Sequence, residues 1–327
     1  MNSKARVLHI TNALPSQEHP EYGVFIKDQI NSLHAVVDQK VFFINARDEG
    51  SFAYLRCIRL LKALCDWAEV IHCHHVFCLL VLTIFLRPRK RIVTSFLNDW
   101  TREIKLPIPE AIKSIVCQFA VWRSDAVIFK SFPPLRYAES TKVKYLPNGV
   151  DPNFFEVKDR DACREVLGWK SEIKYLLFVS SKNIFRRQKR YDIFADVVRA
   201  LNDISEQKFE GVCVSDDTRD TYRLKLNACD AHLLVSDFEG SPNSVKEALS
   251  SGVRVFARDV GNVSDLLAGV DGCVLLRSND PSRIAESIRL ALTFDVDRAV
   301  VRSSFLERGF TEESIKLRLV AIYKDLT

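Results

Sequence analysis

Two glutamates eight residues apart, Glu239 and Glu247, flank the segment Gly240-Ser241-Pro242-Asn243-Ser244-Val245 in this 327-residue chain. An apolar run, Ala231–Ser236, precedes the segment and reads as a strand; Pro242–Ser250 reads as a helix. Ser241 is the expected N-cap and Pro242 the first helical residue, where a missing N–H costs nothing. The N–H groups of Asn243, Ser244 and Val245 then lie at a positive helix end, a ready site for phosphate. With Gly240 and Ser241 they form the candidate anion-binding set. Carboxylates beside a diphosphate are unfavourable unless they bind something else, and vicinal hydroxyl pairs suit them. Glu247 lies about 7.5 Å along the helix from Pro242. Sugars on either side of a diphosphate fit both positions, with Glu247 on a ribose and Glu239 on the second sugar.

Other clusters could also do chemistry. Phe185-Arg186-Arg187-Gln188-Lys189-Arg190-Tyr191-Asp192 concentrates positive charge after the strand Tyr175–Ser180. His72-Cys73-His74-His75 invites a zinc reading, but His74 and His75 alternate faces and no fourth ligand is evident. Polar contacts at a strand end are expected there instead. Asp295-Val296-Asp297 follows a late helix, where it cannot hold a metal at a strand end, so no metal site is expected.

Elements to position these groups alternate from end to end. Strands are expected at Arg6–Ile10, Val41–Asn45, Glu69–His72, Ile92–Phe96 and Asp125–Phe129. A second series follows at Tyr175–Ser180, Gly211–Val214, Ala231–Ser236, Val253–Ala257 and Cys273–Leu276. Phe25, Ile26, Ile30, Leu33 and Val37 recur at helical spacing, as do residues in Tyr191–Leu201, Ser282–Leu292 and Glu312–Tyr323. Alternation of this kind implies parallel sheets covered on both faces. The polar stretch Asp151–Lys174 separates the two series into two doubly wound Rossmann-like domains, 1–150 and 151–327. Ligands of such sheets bind beyond the carboxyl ends of the strands, so the cleft between the domains is the expected site.

Composition narrows the class. The chain is 47% hydrophobic and 27% charged, ordinary for a folded enzyme. Its nine cysteines include no Cys-x-x-Cys pair and sit mostly in apolar runs, which favours a reducing, cytoplasmic setting over disulfides. The N-terminus runs straight into a strand with no secretory core. Val76–Leu86, the longest apolar run, is too short to span a bilayer. Residues 1–150 hold 20 Lys and Arg against 13 Asp and Glu, and the remainder hold 27 against 29. The basic half is scatter or marks an anionic partner such as the inner face of a membrane. Arg87-Pro88-Arg89-Lys90-Arg91 is its densest cluster, worth about 1 kcal/mol per cation at an anionic surface. No aromatic-interleaved basic stripe is present, so a nucleic-acid partner is not expected.

The segment from Glu239 to Glu247, continued by Ala248, Ser251-Gly252-Val253-Arg254-Val255 and Asp259-Val260-Gly261-Asn262-Val263, resembles the signature of retaining GT-B glycosyltransferases of family 4. Its wording is closest to the branch that builds bacterial surface polysaccharides. The resemblance implies a GT-B fold and transfer of a sugar from a nucleotide-sugar donor, a UDP-sugar ahead of a GDP-sugar. It also implies that no metal or other cofactor is used. Lys189 and Arg186 match the cations that neutralise the donor diphosphate and stabilise the departing nucleotide, although Ser180-Ser181-Lys182 replaces the commoner Gly-Arg. Arg187 or Lys182 could serve in place of Arg186. Pro15-Ser16 through Gly23-Val24-Phe25 is similar to the family's first loop, which makes Gly23 a donor-binding candidate or a simple turn glycine. Thr94-Ser95-Phe96-Leu97-Asn98-Asp99 stands where relatives carry Thr-Phe-His-Gly-x-Asp. Asp99 matches, as an acceptor-side residue or a helix N-cap, while Phe96 replaces a histidine. Pro147-Asn148-Gly149-Val150-Asp151 resembles the interdomain mark, and the last helix is expected to cross back to the first domain.

The reading is a retaining, metal-independent glycosyltransferase acting on a glycan or lipid-linked acceptor, cytoplasmic or peripheral on the inner membrane face. Catalytic roles fall to Glu239, Lys189, Arg186 and Asp99. Two alternatives stay open: a GT-B nucleotide-sugar epimerase and a non-catalytic glycosyltransferase-like subunit.

Overall fold

The computed structural model describes residues 4–19, 22–97, 109–180 and 183–327. The chain divides into two units, Met1–Gly149 with Glu312–Thr327, and Val150–Thr311.

The first unit runs β1 (Arg6–Thr11), α1 (Val24–Ser32), β2 (Asp38–Phe43), α2 (Ala46–Glu49), α3 (Ala53–Arg56), α4 (Ile58–Trp67), β3 (Val70–Cys73), α5 (Val76–Val81), β4 (Arg91–Phe96), α6 (Glu110–Arg123), β5 (Ala126–Phe129) and β6 (Val143–Tyr145). Its sheet has the order β2-β1-β3-β4-β5-β6, and every pairing is parallel. β3 and β5 are buried along their whole length, which is why they read as continuous apolar runs and not as alternating ones. Leu8, Ile71, Ile92 and Val127 face one core with α4 and α5; Val7, Val70, Val93 and Ile128 face another. β6 was not expected. At three half-exposed residues it carries too little pattern to register.

The second unit runs α7 (Arg160–Leu167), β7 (Lys174–Val179), α8 (Tyr191–Ile204), β8 (Phe209–Val214), α9 (Arg219–Ala228), β9 (Ala231–Leu234), α10 (Asn243–Ser250), β10 (Arg254–Arg258), α11 (Val263–Leu267), β11 (Val274–Leu276), α12 (Pro281–Leu292) and α13 (Arg298–Leu306). Its five strands are also all parallel, in the order β11-β10-β9-β7-β8. The polar stretch 151–174 is not a bare connection. It holds α7, which Asp159 caps through the Ala162 N–H. Buried Arg164 on α7 pairs with Asp230 at 2.7 Å. Two buried charges of opposite sign satisfy each other there, and the polar sequence conceals a packed element.

The chain ends in α14 (Glu312–Lys324), whose Ile315, Leu319 and Tyr323 pack with Val7, Val70 and Val93 of the first sheet.

Candidate functional site

In the second sheet the strand order reverses direction between β7 and β9, and the loops leaving those two strands carry the residues singled out above. The β7 loop forms a short 3-10 turn, Arg187–Lys189, before α8 begins at Tyr191. The β9 loop carries Ser236–Pro242. Backbone and side chain stitch the loops together: the Asp237 N–H donates to Gln188 O at 2.9 Å, and Gln188 Nε2 donates to Phe238 O at 2.6 Å.

That stitching brings Lys189 and Glu239 into contact. Lys189 Nζ lies 2.7 Å from Glu239 Oε1, with the side chains 15% and 12% exposed. A charge-assisted bond this short removes the difficulty of placing a carboxylate near an anion site, because the ammonium offsets it. Gly261 packs against the backbone of the loop that carries Glu239. A Cβ at Gly261 would stand 2.2 Å from Gly240 O and 2.9 Å from Glu239 O, so only glycine lets the loops approach this closely.

The helix start differs from expectation. α10 begins at Asn243 with Pro242 as its N-cap, and among the described residues no side chain caps it. The Ser241 hydroxyl is drawn instead to buried Lys246, whose Nζ donates to it at 2.9 Å. An ammonium is a stronger partner for a hydroxyl oxygen than a backbone amide is. The consequence is that the first amides of α10, Asn243, Ser244 and Val245, receive no side-chain cap and form a positive helix end.

Buried His232 on β9 fixes this helix end. Its Nδ1 lies 3.0 Å from Leu177 O, and its Nε2 lies 3.1 Å from Ser244 Oγ. Burial lowers its pKa to about 4, so the ring is neutral at ordinary pH. A carbonyl only accepts, so Nδ1 carries the proton and the Ser244 hydroxyl donates to Nε2. One turn along α10, Glu247 Oε2 accepts from the Tyr222 hydroxyl at 2.8 Å. Burial, followed by the nearby Glu247 charge, holds the Tyr222 pKa well above its ordinary value, so it stays a donor.

Arg186 does not join the Lys189–Glu239 pair. It is exposed, with Nη2 3.4 Å from Gln188 Oε1. Arg190 is committed to Asp192 and Asp237. Gly23, in the first unit, has φ 73°, and a Cβ there would stand 2.3 Å from Ala13 O, so the chain itself demands this glycine. Phe96 stacks on Phe129 at 4.9 Å within the core. Asp99 and Lys182 lie outside the described residues.

The histidines of the first unit are part of a buried network. His9 Nδ1 lies 3.0 Å from His74 Nε2, while His72 bonds the Tyr323 hydroxyl at 2.6 Å and Ser95 Oγ at 2.7 Å. Burial holds all three rings well below the usual histidine pKa, His9 at about 4. They are neutral, and through Tyr323 they fasten α14 to its sheet.

Sequence reasoning missed Tyr222, His232, Lys246 and Gln188. His232 alone had a local signal, as a polar residue inside an otherwise apolar strand.

No protein-family model matches the sequence, and no curated protein matches it. Solved structures match along nearly its whole length. A sucrose-phosphate synthase from Thermosynechococcus elongatus superposes with a TM-score of 0.77 at 14% identity, covering 99% of both chains. A glycosyltransferase from Rickettsia africae gives 0.74 at 13% identity, covering 99% of this chain and 98% of that one. Anabaena HepE, solved with UDP, gives 0.72 at 13% identity, covering 98% and 100%. The fold is GT-B. Both GT-B units are parallel α/β sheets, and the site above lies at the reversal point of the second.

Proposed function

We propose that this GT-B protein is a retaining, metal-independent glycosyltransferase of the family 4 type, carrying a sugar from a UDP-sugar to a glycan or lipid-linked acceptor in cell-surface polysaccharide synthesis. The observation that carries the reading is the Lys189–Glu239 pair beside the uncapped start of α10, with Glu247 held by Tyr222 one turn further on. The amides of Asn243, Ser244 and Val245 receive the diphosphate. Glu247 takes the ribose hydroxyls, and Glu239 takes hydroxyls of the transferred sugar. As the glycosidic bond to phosphate breaks, negative charge grows on the leaving diphosphate. Lys189, Arg186 and the helix amides meet it without a metal. The leaving phosphate oxygen takes the acceptor proton on the same face, so configuration is retained. Work at the inner face of a membrane, from the cytoplasm, suits a lipid-linked acceptor. HepE binding UDP and UDP-glucose agrees with this donor class.

Product analysis tests the proposal. With a matched UDP-sugar and a lipid-linked glycan fraction, UDP release and a lengthened glycan with retained anomeric configuration are expected. Conversion of the donor to its epimer without UDP release would instead mark an epimerase. Donor binding with neither product would mark a non-catalytic subunit.

A further inference from the structure

Helix α6 is apolar on two sides. Val116 and Ala120 pack inward, as a helix covering a sheet must. Phe119 also packs against that core, whereas Ile112, Ile115 and Trp122 recur at i, i+3 and i+10, which places them along one further stripe. Ile112 is 47%, Ile115 62% and Trp122 74% exposed. A helix on a water-facing surface ordinarily carries polar residues there.

Two neighbouring features continue the surface. α6 packs beside α5, and α5 runs on into a π-helical turn, Leu82–Leu86, closed by the Arg87 N–H donating to Leu82 O. That turn buries Leu82 and Thr83 but leaves Ile84 and Phe85 exposed. Arg87 follows with φ 43°, a left-handed conformation that disfavours any residue with a Cβ. An arginine stands where glycine would fold more easily. Arg123, at the end of α6, donates to Pro88 O, so the helix end and the basic loop adjoin. Trp122 and the loop then line one groove, with Arg87, Arg89, Lys90, Arg91 and Lys142 around it. Glu69 and Asp125 also reach this groove, but they pair with Arg6 and Arg91 respectively.

We infer that this face of the first unit docks on an anionic phospholipid surface: Ile84, Phe85, Ile112, Ile115 and Trp122 enter the headgroup boundary while Arg87, Arg89 and their neighbours meet the phosphates. Charge complementarity selects this occupant. A nucleic acid would use the cations and leave the aliphatic side chains in water, whereas a bilayer interface takes cations, aliphatics and tryptophan together. No described helix is long and apolar enough to cross a membrane, so the contact lies on the bilayer and does not span it. The inference rests on the peripheral-membrane part of the proposed function and is independent of turnover.

The test is co-sedimentation of the full chain with vesicles of phosphatidylcholine alone, or of phosphatidylcholine mixed with phosphatidylglycerol. Binding is expected only to the mixed vesicles and is expected to weaken with salt. The variant Ile115→Ser/Trp122→Ser, and separately Arg87→Ser/Arg89→Ser, should each lower the partition coefficient about tenfold. Both change exposed side chains, and unchanged melting temperatures verify their folding. UDP binding, measured on the same samples, should be unaffected and separates failure of this surface from failure of the donor site. The inference is overturned if the wild-type chain ignores mixed vesicles or if either variant binds them as the wild type does. It is equally overturned if sedimentation equilibrium shows a wild-type dimer that the Ile115/Trp122 variant abolishes, because a second copy would then cover the face.

Discussion

Lys189 Nζ stands 2.7 Å from Glu239 Oε1, although the two residues are 50 positions apart in the chain. This bond joins the loop after β7 to the loop after β9 and sets the local charge near zero before any donor arrives. In the proposed function, diphosphate attraction is then left to the α10 amides and to whatever share of the lysine charge the carboxylate does not quench. Lys189→Met should weaken UDP binding by about 2 kcal/mol, since it removes a cation and leaves Glu239 uncompensated. Adding Glu239→Gln should recover part of that loss. Calorimetry across the four proteins measures the coupling. Strict additivity would mean that the pair does not act as a unit.

Glu247 and Tyr222 form the second relationship to test. Glu247→Ala should weaken UDP binding by about 1.5–3 kcal/mol, because the ribose hydroxyls lose a charged partner. Tyr222→Phe keeps the packing against Phe155 and removes only the bond that aims the carboxylate, so a smaller loss of about 1 kcal/mol is expected. Calorimetric affinities of folded variants equal to the wild type would exclude Glu247 from the site.

The local parts of the candidate site are legible in the sequence and the long-range parts are not. Glu239, Asn243 and Glu247 stand out as candidates because strand, turn and helix follow one another without interruption, and Gly240 and Pro242 punctuate them. Ser241 was misassigned because a hydroxyl before Pro242 looks like an N-cap, whereas the Lys246 ammonium claims it. Lys189 was found as a cation, but its partner could not be. Tyr222 reaches Glu247 from a different helix, a relation that no spacing rule encodes. The strands were recovered wherever they run buried on both faces. The half-exposed β6 and the polar α7 were lost, since each lacks the apolar run that signals an element.

Acid should destabilise the fold through its buried histidines. His232 and His9 titrate at about 4 when folded, against an ordinary value near 6.5. The unfolded chain therefore binds more protons between those values, and stability is full above about pH 6.5 and is lost as pH falls toward 4. Each fully buried ring contributes roughly 3 kcal/mol to that loss. Melting temperatures from pH 7 to pH 4.5 should fall steeply, and less steeply in His9→Gln.

Lys130 works in the alkaline range. Its side-chain nitrogen is buried and has no hydrogen-bond partner among the described residues, and burial brings its pKa down to about 7 from 10.5. Between those values the unfolded chain binds more protons, so the wild type should gain stability as pH rises from 7 toward 10. Lys130→Met should melt higher than the wild type at pH 7 and lose that rise. A lower melting temperature for the variant at pH 7 would show that the amine is satisfied in the folded protein.

A metal-free mechanism predicts that UDP release from the matched donor continues in excess EDTA. Loss of turnover that manganese or magnesium restores would refute the assignment of that charge to Lys189, Arg186 and the α10 amides.

Binding of a nucleotide sugar through α10 of the second unit, the core of the proposed function, is read in a thermal-stabilisation screen of nucleotide sugars. A ligand held by the folded state alone raises the melting temperature with its concentration, and a hundredfold excess over its dissociation constant adds about 2.7 kcal/mol. At least one UDP-sugar should stabilise the wild-type protein, UDP itself should do so as well, and Glu247→Ala should lose both shifts. A flat response to every nucleotide sugar and nucleoside diphosphate, from a protein that melts cooperatively, would contradict donor binding by this unit.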